Sequence, residues 1–180
     1  LDNEVLNFLS NNYFKKFKIN QISLTTDNLF SFKINKEFKF NELNVSSKIK
    51  LDNLNYDFEN NEIKKYIPDY KDLIQLSNHN LNLIYNNDKL KINGNGSIII
   101  DKKSEKIDYS FLKEKDKIKF NTNITIENSP LNINFLNYHK KNQINSFLKI
   151  DAIIKKNEEI TFNEIKYKEN KNIVLVKELQ

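Results

Sequence analysis

Apolar and polar residues alternate with a period of two through most of this chain, and the alternation begins at Phe17. Ile22 and Leu24 stand between polar neighbours, and Phe30, Phe32, Ile34, Phe38 and Phe40 share one parity across residues 35–37. That stretch is either a tight turn or the middle of one long strand. Leu43, Val45, Ile49 and Leu51 continue the pattern, followed by Leu54, Tyr56 and Phe58. Period two sends successive side chains to opposite faces, so these are strands with one dry and one wet side. Two segments read differently. Val5, Phe8 and Leu9 sit at helical spacing and predict a short helix near residues 2–12. Ile63, Tyr66, Ile67, Tyr70, Leu73 and Ile74 make one apolar helix stripe, predicting helix near 61–76. Pro68 removes a backbone donor and disfavours helical geometry at Ile67, so a kink or two short pieces are expected there.

Beyond Asn78 the alternation is very regular. Leu81, Leu83 and Tyr85 lead into a turn at Asn86-Asn87-Asp88, and Leu90, Ile92, Gly94, Gly96, Ile98 and Ile100 keep one parity. Ile107, Tyr109 and Phe111 precede a turn over 113–116, and Ile118, Phe120, Thr122, Ile124 and Ile126 follow it. Parity shifts between Phe135 and Leu136, and again between Phe162 and Ile165, which predicts bulges at both places. The count is about eleven strands, most of them eight to twelve residues long.

Sequential strands joined by short turns pair antiparallel, so the expected topology is a meander. Its dry face has to meet a second sheet, the same sheet curled on itself, or an apolar ligand. Strands of this length, without long crossovers, favour curling over a closed β-sandwich. The predicted fold is mainly β: a long-stranded antiparallel meander curled into an open half-pipe, with the two short helices. Residues 1–180 read as a single segment of a larger elongated protein. Bulky Phe, Ile, Leu and Tyr dominate the inward positions, which suits a trough with an open lumen.

Composition changes the picture mainly by exclusion. The chain has 32 Asn, 29 Lys and no Arg, a single Ala and no Cys, Met or Trp. Ile, Leu, Phe and Val make up one third of it, enough for a core. The net charge of +5 comes from Lys interspersed with 24 Asp and Glu. Without Arg for bidentate and stacked contacts, no nucleic-acid surface is expected. Missing cysteines remove disulfides, thiolate catalysis and the common zinc sites. No apolar run reaches the roughly 20 residues that cross a bilayer as a helix.

Candidate chemistry is sparse. His79 and His139 lie sixty residues apart, each beside an expected turn, and read as surface or rim residues rather than metal ligands. Glu158-Glu159 and the Asp69/Asp72 pair supply carboxylates, but nothing marks two of them as a catalytic pair. Gly94-Asn95-Gly96 is too short for a phosphate loop, and its glycines either bend the sheet or widen a lumen, bending being favoured. Pro130 is expected to start the Leu131 strand or lie between strands. No enzyme, cofactor or metal is predicted.

The long amphipathic strands, the Tyr-Ile-Pro-Asp-Tyr core at 66–70 and the Leu90-Lys-Ile-Asn-Gly-Asn-Gly96 strand resemble AsmA-like proteins of the YhdP and TamB type, most closely from 55 to 179. The resemblance implies a β-taco-like groove that carries phospholipid acyl chains across the bacterial envelope without catalysis. It implies a periplasmic protein tied to the inner membrane by an anchor outside this segment, with flanking segments of the same chain as neighbours. The groove lining would be Leu81, Leu83, Tyr85, Leu90, Ile92, Ile98, Ile107, Tyr109, Phe111, Ile118, Phe120, Ile124 and Ile126. The alternative is a closed β-sandwich scaffold or adhesion module of the envelope that binds protein or glycan.

Overall fold

The computed structural model describes residues 18–38, 40–57, 64, 72–86, 88–100, 102–133, 137–155 and 159–179. In them run β1 (Lys18–Ile34), β2 (Phe40–Asp57), β3 (Leu73–Asn86), β4 (Lys89–Ile100), β5 (Lys103–Glu114) and β6 (Lys117–Ile126). After these come β7 (Leu131–Ile133), β8 (Tyr138–Lys140), β9 (Ser146–Lys155), β10 (Ile160–Glu169) and β11 (Asn172–Leu179). Nine strands form one antiparallel sheet in the order β1-β2-β3-β4-β5-β6-β9-β10-β11, while β7 and β8 pair only with each other. The sheet is open and does not close into a barrel.

Most predicted strands are present, with instructive differences. Residues 35–38 are a turn, closed by a 3.0 Å bond from the Phe38 N–H to the Asn35 carbonyl, so the Phe-rich stretch is a hairpin. β1, β2 and β3 run 17, 18 and 14 residues, longer than the eight to twelve expected. The parity change between Phe135 and Leu136 lies outside the described residues; on either side of it β7 and β8 pair antiparallel with each other. The change near Phe162 is a bulge, a register shift between Phe162 and Glu164. Leu73 and Ile74, assigned to the apolar helix stripe, are the first residues of β3, where Ile74 pairs with Tyr56. Cross-strand pairing there outweighs a helical spacing already interrupted by Pro68. Lys64 is helical; the rest of that stripe and the helix near 2–12 lie outside the described residues.

Register carries side chains across the sheet in rows. Ser47, Leu83, Ile92, Phe111, Phe120, Ala152 and Phe162 are successive cross-strand partners on one face. Where β3 changes parity between Leu76 and Leu81, Asn78 takes a positive φ of 53° and the register with β4 shifts. That bulge keeps Leu76 and Leu81 on the same side.

Every fully buried residue of the nine-stranded sheet lies on this apolar face: Ser47, Leu51, His79, Gly94, Glu105, Thr122, Ile126, Ser146, Ala152, Tyr167 and Glu169. A flat single layer would leave its two faces equally open. Burial is confined to one face, where side chains of neighbouring strands crowd together and β7–β8 adds cover; this is consistent with a meander curled toward that side. Extensive contacts join only hydrogen-bonded neighbours, and no second layer faces the sheet among the described residues. Only four apolar residues there are fully buried: Leu51, Ile126, Ala152 and Tyr167.

Candidate functional site

The thirteen residues selected from sequence share the apolar face. Leu81, Leu83 and Tyr85 pair with Gly94, Ile92 and Leu90; Ile92 meets Phe111, and Gly94 and Gly96 meet Tyr109 and Ile107. Ile107 and Phe111 then pair with Ile124 and Phe120, and Ile118 with Lys113. Ile98 and Ile126 extend the same rows toward Glu105 and Ser146. Twelve of the thirteen are half-buried and Ile126 is buried. The wall also reaches further than the sequence selection, to Val45, Ile49 and Leu51 on β2 and to Leu148, Ile150 and Ile154 on β9.

The two glycines permit close approach of neighbouring side chains, and their missing side chains do not widen a lumen. A Cβ on Gly94 would lie 2.5 Å from Tyr109 Cζ, so the Tyr109 ring occupies that space. A Cβ on Gly96 would collide with the His79 ring and lie 2.8 Å from its Cα. Neither glycine has a positive φ. An aromatic side chain from a neighbouring strand covers each one. His79 is thus not a rim residue: it lies inside β3 at 1% exposure. Its Nε2 donates to the Ser97 carbonyl at 3.0 Å, and Nδ1 faces the Tyr109 hydroxyl at 3.2 Å. Small residues also interleave with large ones elsewhere, Ala152 standing between Phe120 and Phe162. The wall is therefore less uniformly bulky than the inward-position count suggests.

One end of the strands is closed by a polar cluster. Glu105 on β5 is 1% exposed. Its carboxylate accepts the N–H groups of Glu127, Asn128 and Ser129 at 2.8, 2.9 and 2.6 Å. Lys140 on β8 is equally buried, and its ammonium donates to the carbonyls of Ser129 at 2.8 Å, Lys141 at 3.2 Å and Glu127 at 3.3 Å. Two opposite charges thus satisfy both sides of the turn that leads into β7. Burial pulls the Lys140 pKa below the usual lysine value, with Glu105 and Glu169 pushing the other way. Tyr138, also on β8, donates to the Glu169 carboxylate and meets the Tyr167 hydroxyl at 3.1 Å. Burial, then the Glu169 contact, raises its pKa. Tyr167 and Glu169 lie on the apolar face, so the β7–β8 hairpin sits over that face and stoppers the trough at β5, β6, β9 and β10. Sequence reasoning missed this cluster, although Glu105 stands at the same parity as Ile107 and Tyr109.

At the opposite end no such cover is present among the described residues. β3 pairs with β2 only as far as Asn44↔Asn86, so the β1–β2 hairpin overhangs the rest of the sheet. Phe30, Phe32, Ile34 and Leu43 on its apolar face are 63%, 50%, 52% and 44% exposed.

The polar face carries a concavity of about 600 Å³ whose lining is mixed, Lys91, Lys119, Asn121 and Asp151 together with Leu112 and Ile153. Asp151 is held there by amide groups of Asn163 at 2.6 Å and Asn121 at 3.3 Å. Among the described residues no cluster of His, Asp or Glu could hold a metal, and no helix is long and apolar enough to cross a membrane. His139 is exposed on β8 and bonds Asn132. No known protein family, curated protein or solved structure matches the chain.

Proposed function

We propose that the apolar face of the open sheet is the wall of a groove that binds phospholipid acyl chains without catalysis. The observation that carries this reading is a dry face continuous across nine strands that, among the described residues, only the β7–β8 hairpin covers, and only at one end. Half-buried Leu, Ile and Phe side chains along it gain by contact with methylenes, each worth about 0.8 kcal/mol when withdrawn from water. Such burial is non-directional, so the groove discriminates little between chains of similar length. The resemblance to AsmA-like proteins supplies the setting: a periplasmic conduit anchored in the inner membrane by another part of the protein. The alternative sandwich module needs a second sheet over the first, and the only other sheet among the described residues is the β7–β8 pair. The Asp151 concavity is the one feature that favours a hydrated ligand, such as a glycan, on the other face.

Native mass spectrometry of the purified chain tests the groove, with Ile92→Glu and Phe120→Arg as variants. Both residues lie in the middle of the wall and are paired through Phe111. Phospholipid carried by the wild type and lost from both variants is expected. A wild type free of lipid, or variants that retain it equally, sinks the reading.

A further inference from the structure

The turn of the β1–β2 hairpin combines two unfavourable features at one residue. Phe38 is 85% exposed and has a positive φ of 58°. Eleven non-glycine residues among those described have positive φ, and the other ten are Asn, Asp, Glu, Gln or Lys. Asn is the commonest residue in the chain and the one best suited to that conformation after Gly. An exposed aromatic held there serves neither the turn nor the core, and such outliers gather at functional contacts.

The apolar surface around Phe38 is not confined to one face. Phe30, Phe32 and Ile34 lie on the trough side, while Leu29, 75% exposed, points to the polar side. From Ser31 and Asn44 outward the ribbon projects past β3 by roughly 10 Å at strand spacing. That reach compares with the roughly 5–10 Å by which interfacial elements enter the head-group boundary. A protein partner or a second copy of this chain covers one face of such a ribbon; a lipid surface solvates both faces and the apex together. The charge at this end is mixed, with lysines in excess. Lys36 at the turn, with Lys113 and Lys115 at the same end of the sheet, is exposed and forms no ion pair among the described residues, while Glu37 and Asp116 stand beside them. Lys113 stands in the apolar-face row between Leu90 and Ile118, at the mouth of the trough.

We propose that the β1–β2 tip is a membrane-docking element: Phe38, Phe30 and Leu29 enter a bilayer and the neighbouring lysines meet anionic head groups. In placing the mouth of the trough at the lipid surface, the proposal rests on the acyl-groove reading, but docking is measured separately. The probe is flotation of the 180-residue chain with phosphatidylcholine vesicles, with and without phosphatidylglycerol. Phosphatidylglycerol is expected to strengthen binding. Phe38→Asn and Phe30→Ser are each expected to weaken it about tenfold or more, the partition carried by one withdrawn Phe. Lys113→Glu is expected to weaken it about fivefold or more, only on the anionic vesicles.

A Phe38→Trp variant supplies a readout that does not depend on loss of binding: its emission shifts to the blue and is quenched by brominated lipid. Tip variants that float like the wild type, or a Phe38→Trp chain that brominated lipid leaves unquenched, overturn the proposal. So does a tip variant that changes oligomeric state in size exclusion while flotation is unchanged, which would mark a self-association surface. Occupancy by a fluorescent fatty acid separates the two readings. Tip variants are expected to keep the probe, and Ile92→Glu to lose it while still floating. A wild type that floats through its tip yet takes up no fatty acid supports docking and removes the groove.

Discussion

Two hairpins depart from the regular run of the sheet, and they do so in opposite ways. β1–β2 is long, stays in the plane of the sheet and ends in exposed Phe30, Phe32 and Phe38. β7–β8 has three-residue strands, leaves the plane and covers Glu105, Lys140 and Ser129 at 2% exposure or less. The first hairpin exposes apolar side chains and the second buries the lysine that it carries. A single-layered sheet has no second layer to bury against, so its dry face is only half covered. Within the sheet, full burial is confined to scattered positions such as His79 and Ala152; a buried charge cluster forms where the chain folds back on itself, and folding back buries backbone polar groups as well. The turn over residues 127–129 is tolerated there because a carboxylate takes its N–H groups and an ammonium its carbonyls. The β7–β8 end is thus held by buried charged groups that satisfy the backbone, and the β1–β2 end by strand pairing with exposed polar contacts such as the Lys33–Glu42 ion pair.

The widest break in that comparison comes from removing the carboxylate. Glu105→Ala leaves three N–H donors unsatisfied and strips a compensating charge from the buried Lys140. The expected loss is about 3–5 kcal/mol, the usual result of removing one partner from a buried charged arrangement. Urea titration measures it, and native-state hydrogen exchange places it: protection should fall across residues 127–140 and hold in β3 and β4. Glu105→Gln keeps one acceptor oxygen and should lose less. A Glu105→Ala midpoint close to the wild type would show that the stopper is held by something else.

These two ends were not equally legible in the sequence. The strands of the open end and of the wall follow from alternation, because period two has a single structural meaning when turn residues separate the runs. Parity also placed the thirteen wall residues on one face. The stopper was written as exceptions to that rule: Glu105 and Glu169 occupy apolar-parity positions on β5 and β10, where an isolated charge predicts a buried partner. What the partner would be depends on β7–β8 folding over the face, a long-range event that local periodicity does not encode. The parity slip near Leu136 falls between β7 and β8, and a bulge and a reversal of the chain produce the same slip. His79 was misplaced because Gly96 gives no sign of the ring above it. Leu73 and Ile74 were misread because two helical turns and a strand start share those spacings over so few residues.

A gentler probe of the closed end is Tyr138→Phe. It removes the hydroxyl shared with Glu169 and Tyr167 and keeps the ring. Tyr167 still donates to Glu169 at 3.1 Å, so the cluster should survive with a loss of about 2 kcal/mol, that of one hydrogen bond to a charged group. The pH dependence sharpens the assignment. Burial and Glu169 raise the Tyr138 pKa in the folded state, so its protonated form is favoured there. That stability is fully present below the ordinary tyrosine pKa of about 10 and is lost as pH rises beyond it toward the folded value. Lys140 acts in the opposite sense: its depressed folded pKa makes the buried charge unfavourable at neutral pH, and deprotonation at high pH relieves it. Urea midpoints followed into the alkaline range should therefore fall less steeply in Tyr138→Phe than in the wild type. In Lys140→Met, where the opposing group is gone, they should fall more steeply. Parallel curves for wild type and Tyr138→Phe would mean that Tyr138 does not titrate through this cluster.

The smallest effect belongs to the open end and has the opposite sign. Phe38→Asn replaces an aromatic at φ 58° with a residue that tolerates the left-handed region, and removes a side chain that is already 85% exposed. Little packing is lost, and the relief of backbone strain should stabilise the chain by up to about 1 kcal/mol. The 3.0 Å bond from its N–H to Asn35 is a backbone bond and is kept. If the closed end is selected for stability and the open end for contact with lipid, the same variant must gain in urea midpoint and lose in vesicle flotation. A variant that loses both shows Phe38 to be structural, whatever its exposure, and then the two hairpins differ in degree rather than in purpose.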